Sequence, residues 1–312
     1  MLYGIVHSSQ LDMNVYLKCF EDYADEVTVV TEDMPHDPSK ITFALLWHPN
    51  IDFFERYPNV RLVASIAAGV DNIFACQSID ARVQVCRNRD PEQASIMSTF
   101  ALWHIINHQR NFPLYLQQQR ESRWQSLPMR APSEVNIGVL GLGFLGEHIA
   151  NDCQRLGFSV AGWRKHKKDI KNPNVPVYHG ANQLSAFLCR TEVLICVLPL
   201  TEETRGILNR ALFEQLKPNA YLIHIGRGGQ LDAKDLLEAL DEGFLCGASV
   251  DVFEEEPLPQ TSPFWKHPNI IVTPHDASDV RPVAAVFNLI EEVRRFSAGI
   301  PLMNSIQSNI GY

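Results

Sequence analysis

The segment from Val135 to Gly157 leaves few folds open to this chain. An apolar run, Val135 to Leu140, leads directly into Gly141-Leu142-Gly143-Phe144-Leu145-Gly146. From Phe144 to Leu156 the apolar positions then recur at helical spacing, until Gly157 stops them. A buried strand that turns through such a loop into a helix begins a parallel α/β unit. In that turn the first glycine allows the tight bend and the second lets the backbone approach a pyrophosphate. The third lets helix and strand pack, and the phosphates face the positive end of the helix.

The remaining apolar runs agree with this start. Leu2 to Val6, Val27 to Thr31, Phe43 to Trp47, Leu62 to Ala67 and Val83 to Cys86 read as buried strands with helix-like segments between them. A second series runs Val135 to Leu140, Ser159 to Gly162, Val193 to Leu198, Tyr221 to Ile225, Gly247 to Val250 and Ile270 to Val272. The expected fold class is α/β with two doubly wound parallel-sheet domains: a flavodoxin-like substrate domain and a Rossmann dinucleotide-binding domain. Two helices, about Ser95 to Tyr115 and about Pro282 to Ala298, are the expected joints, and the Pro-rich stretch Leu127 to Pro132 leads into the second domain. If the last helix returns to the first domain, residues 1–98 and 283–312 form the substrate-binding domain and 99–282 the NAD(P)-binding one.

Composition narrows the function classes. The chain has 312 residues, enough for two sizeable cores. Its seven cysteines are odd in number, scattered and without a Cys-x-x-Cys pair, which argues against a disulfide framework or zinc ribbon and suits a reducing cytoplasm. No apolar run approaches the roughly 20 residues of a membrane span, and the N-terminus lacks a signal-peptide layout, so a soluble protein with no membrane partner is expected. A net charge of −9 argues against nucleic acid as a partner and requires any anion site to be locally basic. His104 and His108 are four apart on a predicted helix, but without a third ligand they suggest a structural or subunit-contact role, and no metal is expected.

Two features define the expected chemistry. NAD-binding loops place an acid about 20 residues beyond the glycines, to accept from the ribose 2′-hydroxyl. Here that position is Arg164, between Trp163 and the basic run Lys165-His166-Lys167-Lys168. A carboxylate there repels a 2′-phosphate and a guanidinium pairs with it, so NADPH is expected in preference to NADH. Farther on, three stretches each deliver one polar group: Arg227 in His-Ile-Gly-Arg-Gly-Gly, Glu256 before Pro257, and His275 in Thr-Pro-His. An arginine holds an anionic substrate by two parallel hydrogen bonds. A histidine paired with a carboxylate hands a proton to a carbonyl that is receiving hydride. The combination points to an oxidoreductase acting on a 2-oxo acid.

These motifs, in this order, resemble the D-isomer-specific 2-hydroxyacid dehydrogenases over essentially the whole chain. The resemblance is greatest to members that reduce glyoxylate and hydroxypyruvate, through Leu46-Trp47-His48-Pro49, Ala68-Gly69-Val70-Asp71, Trp163-Arg164, Leu258-Pro259 and a C-terminal Gly-Tyr. It implies that Arg227 binds the substrate carboxylate and polarises the keto oxygen, that His275 is the general acid and that Glu256 is its partner. It further implies that Ala68, Gly69 and Val70 receive the carboxylate on backbone amides and that Trp47 restricts the pocket to small substrates. Leu198, Pro199, Ile225 and Gly226 would line the cofactor, and Asp251 would lie near the nicotinamide carboxamide. A homodimer is the implied assembly. The chain departs from the family pattern at His224, where asparagine is common, at Thr99, where glutamate is common, and at Asp276, where a small or apolar residue is usual.

Overall fold

The computed structural model describes residues 2–167 and 172–306. Lys168 of the basic run and the terminal Gly311-Tyr312 lie outside the described residues. The chain forms two compact units: residues up to Gln93 together with those from Val280 onward, and Ala94–Asp279.

The elements begin β1 (Leu2–Ser8), α1 (Asn14–Cys19), β2 (Val27–Val30), β3 (Ile41–Trp47), α2 (Phe53–Arg56), β4 (Leu62–Ser65), α3 (Asp71–Phe74) and β5 (Gln84–Cys86). Two helices follow, α4 (Pro91–Gln109) and α5 (Phe112–Arg120). The second unit continues with β6 (Asn136–Leu140), α6 (Phe144–Arg155), β7 (Ser159–Arg164), β8 (Val177–His179), α7 (Leu184–Arg190) and β9 (Val193–Cys196). Next come α8 (Arg210–Phe213), β10 (Ala220–His224), α9 (Ala233–Asp241), β11 (Leu245–Val250) and β12 (Ile270–Val272). Helix α10 (Pro282–Ser297) and the short β13 (Ser305–Ile306) rejoin the first unit.

The first sheet has the order β13-β5-β4-β3-β1-β2. Without β13 this is the flavodoxin order 2-1-3-4-5, and β13 caps the β5 edge antiparallel. The second sheet, β12-β11-β10-β9-β6-β7-β8, is wholly parallel and extends the dinucleotide-binding order by one strand. All the strands expected from the apolar runs are present. Strand β8 carried no such signal: three half-buried residues are too short to show a period.

The inner strands of the second sheet, β6, β7, β9, β10 and β11, are buried on both faces, and this explains their unbroken apolar runs. In β9, Leu194 and Cys196 join a cluster with Phe187, Leu222 and Phe213, while Val193 and Ile195 join one with Val139, Ile149 and Ile223. In the first unit α10 lays Ala285, Val286, Leu289, Ile290 and Val293 against Val6, Leu45 and Ala64. Each large side chain so buried contributes roughly 1.5–3 kcal/mol.

The linking helix expected over Ser95–Tyr115 is interrupted. Asn111 adopts a left-handed φ of 56° and Pro113 occupies the first turn of α5. A proline there has no N–H for the preceding turn and its ring clashes with the carbonyl four residues back, so one helix ends and another begins. On α4, His104 Nδ1 lies 2.6 Å from Ser249 Oγ, which is 2.7 Å from the Tyr221 hydroxyl. The His108 ring stacks on Tyr221 at 4.7 Å. Both histidines are thus engaged with β10 and β11 side chains, and the described residues contain no group of three metal-ligating side chains. Among those residues no helix is long and apolar enough to cross a membrane, and the seven cysteines are unpaired.

Candidate functional site

The carboxyl ends of β6, β7, β9, β10, β11 and β12 carry, in turn, the glycine loop, Trp163-Arg164-Lys165, Leu198-Pro199, Ile225-Gly226-Arg227, Asp251 and His275. Because the sheet is parallel, one edge collects them all.

At the glycine loop the three glycines meet different demands. Gly141 has φ 115° and its amide donates to Trp163 O at 2.9 Å, which ties the loop to β7. A Cβ on Gly146 would fall 1.9 Å from Gly141 O, so the α6 turn closes on the strand only without one. A Cβ on Gly143, by contrast, would meet nothing within 4 Å. That position faces open space, and Phe144, Leu145 and Gly146 form the first turn of α6 behind it. This is the layout an anion at a helix N-terminus requires.

Trp163 is buried at the end of β7, with Nε1 donating to Gly180 O at 3.0 Å. Arg164 Nη1 lies 3.6 Å from Glu147 Oε1, is buried and has no hydrogen-bond partner. Lys165 Nζ lies 2.5 Å from Glu203 Oε2. An unspent guanidinium N–H at the strand end fits a 2′-phosphate. Both cations, however, stand beside carboxylates that the sequence reading did not include.

The catalytic candidates converge within this unit. His275 Nδ1 is 2.8 Å from Glu256 Oε2, and Glu256 Oε1 accepts from the Phe253 amide at 2.9 Å. The carboxylate thereby fixes the ring through Nδ1 and leaves Nε2 for another partner. Burial raises the Glu256 carboxyl, but the hydrogen bonds from His275 and Phe253 and the charges of His275 and Arg227 outweigh it. The net pKa lies below the usual carboxylate value, so the group stays ionised. Arg227, half-buried, turns Nη1 to Gly226 O at 2.8 Å, and its charge reaches Glu256.

His275 has a left-handed φ of 56°, a conformation that costs a non-glycine residue roughly 1–2 kcal/mol. Asp251 holds it there. The Asp251 carbonyl accepts from the His275 amide at 2.8 Å. Its Oδ1 accepts from the Thr273 hydroxyl at 2.6 Å and the Asp276 amide at 2.9 Å, and Oδ2 accepts from the Ala277 amide at 3.0 Å. Both Asp251 oxygens are therefore engaged by the turn that carries His275. Asp276 contributes its amide to that turn and exposes its side chain.

Two further residues support Arg227: Gln230, which no motif marked, and His224, noted only as a departure from the family pattern. Gln230, fully buried, accepts from the Arg227 amide through Oε1 at 2.9 Å. Its Nε2 donates to Leu198 O and Pro199 O, both at 2.9 Å, so one amide side chain joins the loops after β9 and β10. The buried Ile225 donates to Cys196 O in the same join, and a Cβ on Gly226 would strike Gln230 Oε1 at 2.3 Å. His224, also fully buried, donates from Nε2 to Arg227 O at 3.0 Å. Burial pushes its pKa down to about 4; the hydrogen bond to Arg227 opposes that and the Arg227 charge adds to it. Only a neighbourhood of strand ends could have signalled Gln230 or the contact that His224 makes.

In the first unit Trp47 ends β3, half-buried and edge-on to His48 at 5.0 Å between ring centroids. β3 pairs with β4, and the Ile66 amide donates to Leu46 O, so Trp47 shares an edge with the Ala68-Gly69-Val70 turn. Ser65 shapes that turn: its Oγ donates to Gly69 O at 2.7 Å and accepts from the Ala67 amide at 3.1 Å. Among the described residues the amides of Ala68, Gly69 and Val70 make no hydrogen bond.

Comparison with known proteins adds family information. Residues 102–277 match the family model of the D-isomer specific 2-hydroxyacid dehydrogenase, NAD binding domain. A glyoxylate/hydroxypyruvate reductase A from Photorhabdus laumondii is 37% identical over 281 residues, covering 88% of this chain and 89% of that one. A protein of the same name from Escherichia fergusonii is 36% identical over 282 residues, 89% of each chain. Among solved structures, a D-isomer specific 2-hydroxyacid dehydrogenase from Xanthobacter autotrophicus Py2, in complex with NADPH and MES, superposes with a TM-score of 0.93 at 35% identity, covering 100% of this chain and 99% of that one. The NADPH-dependent glyoxylate/hydroxypyruvate reductase from Sinorhizobium meliloti, in complex with NADP and sulfate, gives 0.92 at 33% identity with 100% coverage of both.

Proposed function

Because the chain belongs to the D-isomer specific 2-hydroxyacid dehydrogenase family, we propose that it is an NADPH-dependent reductase that converts glyoxylate to glycolate and hydroxypyruvate to D-glycerate. The observation that carries the reading is the Glu256–His275 hydrogen bond beside Arg227, at the sheet edge that also carries the glycine loop.

The residues present fit a phosphorylated dinucleotide. The open space at Gly143 and the first turn of α6 suit the pyrophosphate, and the buried, unspent Arg164 Nη1 suits a 2′-phosphate. Lys165 and Trp163 flank that position, and Leu198, Pro199, Ile225 and Gly226 supply the apolar and backbone lining. When bound, the reduced nicotinamide supplies the hydride.

The chain's own residues do the rest. Arg227 pairs with the substrate carboxylate and draws charge from the keto oxygen. His275 delivers the proton from Nε2 to that oxygen as negative charge develops on it. Glu256, ionised, holds the ring in the tautomer and orientation that the delivery needs. Asp251 positions the turn and, by the family resemblance, would lie near the nicotinamide carboxamide. The amides of Ala68, Gly69 and Val70 add donors for the carboxylate, and Trp47 limits substrate size. In this reading residues 1–98 and 283–312 bind substrate and 99–282 bind cofactor.

We place the protein in the cytoplasm as a homodimer without nucleic acid or membrane partners. The unpaired cysteines, the net charge of −9 and the exposed Trp103, Phe112, Leu114, Leu116 and Trp124 on and after α4 and α5 support that reading. The test is NADPH oxidation with glyoxylate, hydroxypyruvate, pyruvate and phosphohydroxypyruvate. Turnover confined to the first two sustains the proposal; binding without turnover, or a preference for pyruvate or phosphohydroxypyruvate, overturns it.

A further inference from the structure

The basic residues at the end of β7 are not alone. Glu147, in the first turn of α6, lies 3.6 Å from Arg164, and Glu203, in the loop after β9, lies 2.5 Å from Lys165. The two pairs differ in what they leave available. Glu203 is 64% exposed, so solvent and salt weaken its hold on Lys165. Glu147 and Arg164 are only 28% and 17% exposed, and their charges are screened less. Their separation exceeds hydrogen-bond length, and Arg164 Nη1 has no hydrogen-bond partner. The guanidinium is therefore balanced in charge while an N–H stays unspent. A phosphate that pairs with Arg164 gains that N–H but must tolerate the neighbouring carboxylate.

We propose that Glu147 is a specificity-determining residue: by competing for Arg164 it lowers the protein's preference for a 2′-phosphate and narrows the gap between NADPH and NADH. The inference rests on the NADPH reading above and adds to it a built-in opposing charge. Glu147 also sits at the positive end of α6, where any carboxylate disfavours any bound phosphate. The test must separate that general effect from competition at the 2′ position.

Calorimetric titration of the full-length protein with 2′,5′-ADP and with 5′-AMP does so, because both ligands carry the 5′-phosphate and only one carries the 2′-phosphate. The readout is the ratio of their affinities, independent of turnover. Glu147→Gln is expected to raise the ratio about three- to tenfold, through tighter 2′,5′-ADP binding. Arg164→Gln should collapse the ratio, and Glu147→Gln added to it should change the ratio no further. Glu147→Ser serves as the second variant if the glutamine form melts early. An unchanged or lower ratio in both Glu147 variants overturns the inference, as does an equal rise without Arg164. If Arg164→Gln collapses the ratio while the Glu147 variants leave it unchanged, the competition idea falls and the NADPH reading stands. A wild-type ratio near one that Arg164→Gln does not alter overturns both.

Discussion

The loops at the strand ends of the two units are built on opposite plans. In the second unit the candidate reactive groups are side chains, and other side chains hold the backbone beneath them: Asp251 under His275, Gln230 and His224 under Arg227. In the first unit the Ala68-Gly69-Val70 turn offers its own amides, and one hydroxyl, Ser65 Oγ, shapes it. A side-chain site depends on the chemistry of particular residues, and a backbone site depends on the path of the chain. The first therefore tolerates few substitutions at its reactive groups, and the second tolerates many that keep the turn.

That contrast can be broken by mutation, beginning with the largest effect. His275→Gln removes the proposed proton donor and should lower kcat about 10²- to 10⁴-fold, measured as NADPH oxidation with glyoxylate. A loss of less than tenfold would place the proton elsewhere. Asp251→Asn puts an amide NH₂ where backbone and hydroxyl donors now point, so it should lower unfolding free energy on the order of 3 kcal/mol in denaturant titration and reduce kcat with it. A stable, fully active variant would show that the turn holds without the carboxylate.

Acid sensitivity sharpens the comparison, because burial lowers the pKa of His7 in the first unit, but the histidines it pushes down to about 4 lie in the second. Burial pushes the pKa of His104 down to about 4, with the Asp251 charge opposing, and that of His224 to about 4. Below the ordinary histidine pKa the unfolded chain takes up protons that the folded one refuses until near pH 4, so stability falls as pH drops through that window. His224→Asn should therefore lessen the acid loss by about 2 kcal/mol at roughly pH 5, read from denaturation midpoints at neutral and acid pH. An unaltered pH dependence would mean that His224 is not held neutral. The smallest effect is expected from Ser65→Ala: KM for the 2-oxo acid should rise several-fold, kcat should hold, and stability should fall by about 1 kcal/mol. A drop in kcat with KM constant would assign the turn a different role.

How far these features could be read in advance follows the same division. The glycine loop announced itself because Gly141 and Gly146 meet backbone limits that no other residue satisfies. Arg227, Glu256 and His275 stood out because their chemistry is uncommon next to glycine and proline. Asp251 was noticed for its position in a motif, yet its three side-chain hydrogen bonds to the 273–277 turn required coordinates. Gln230 is an ordinary polar residue whose partners include the loop after β9, and Ser65 is one whose partners, Ala67 and Gly69, are near neighbours that no motif marks. The break at Asn111 was available in principle from Pro113, but the apolar pattern ran through it.

From the order of apolar runs and glycines alone one obtains two parallel α/β units, a dinucleotide loop, an arginine where an acid is usual, and three candidate catalytic side chains. Periodicity and covalent sterics act locally, so these are written along the chain. Which carboxylate faces Arg164, which amide joins the loops after β9 and β10, and what holds His275 in its left-handed conformation arise only when separate strand ends meet. Hydrogen bonds and ion pairs depend on distances of a few ångströms between residues far apart in the chain, and folding alone sets those distances.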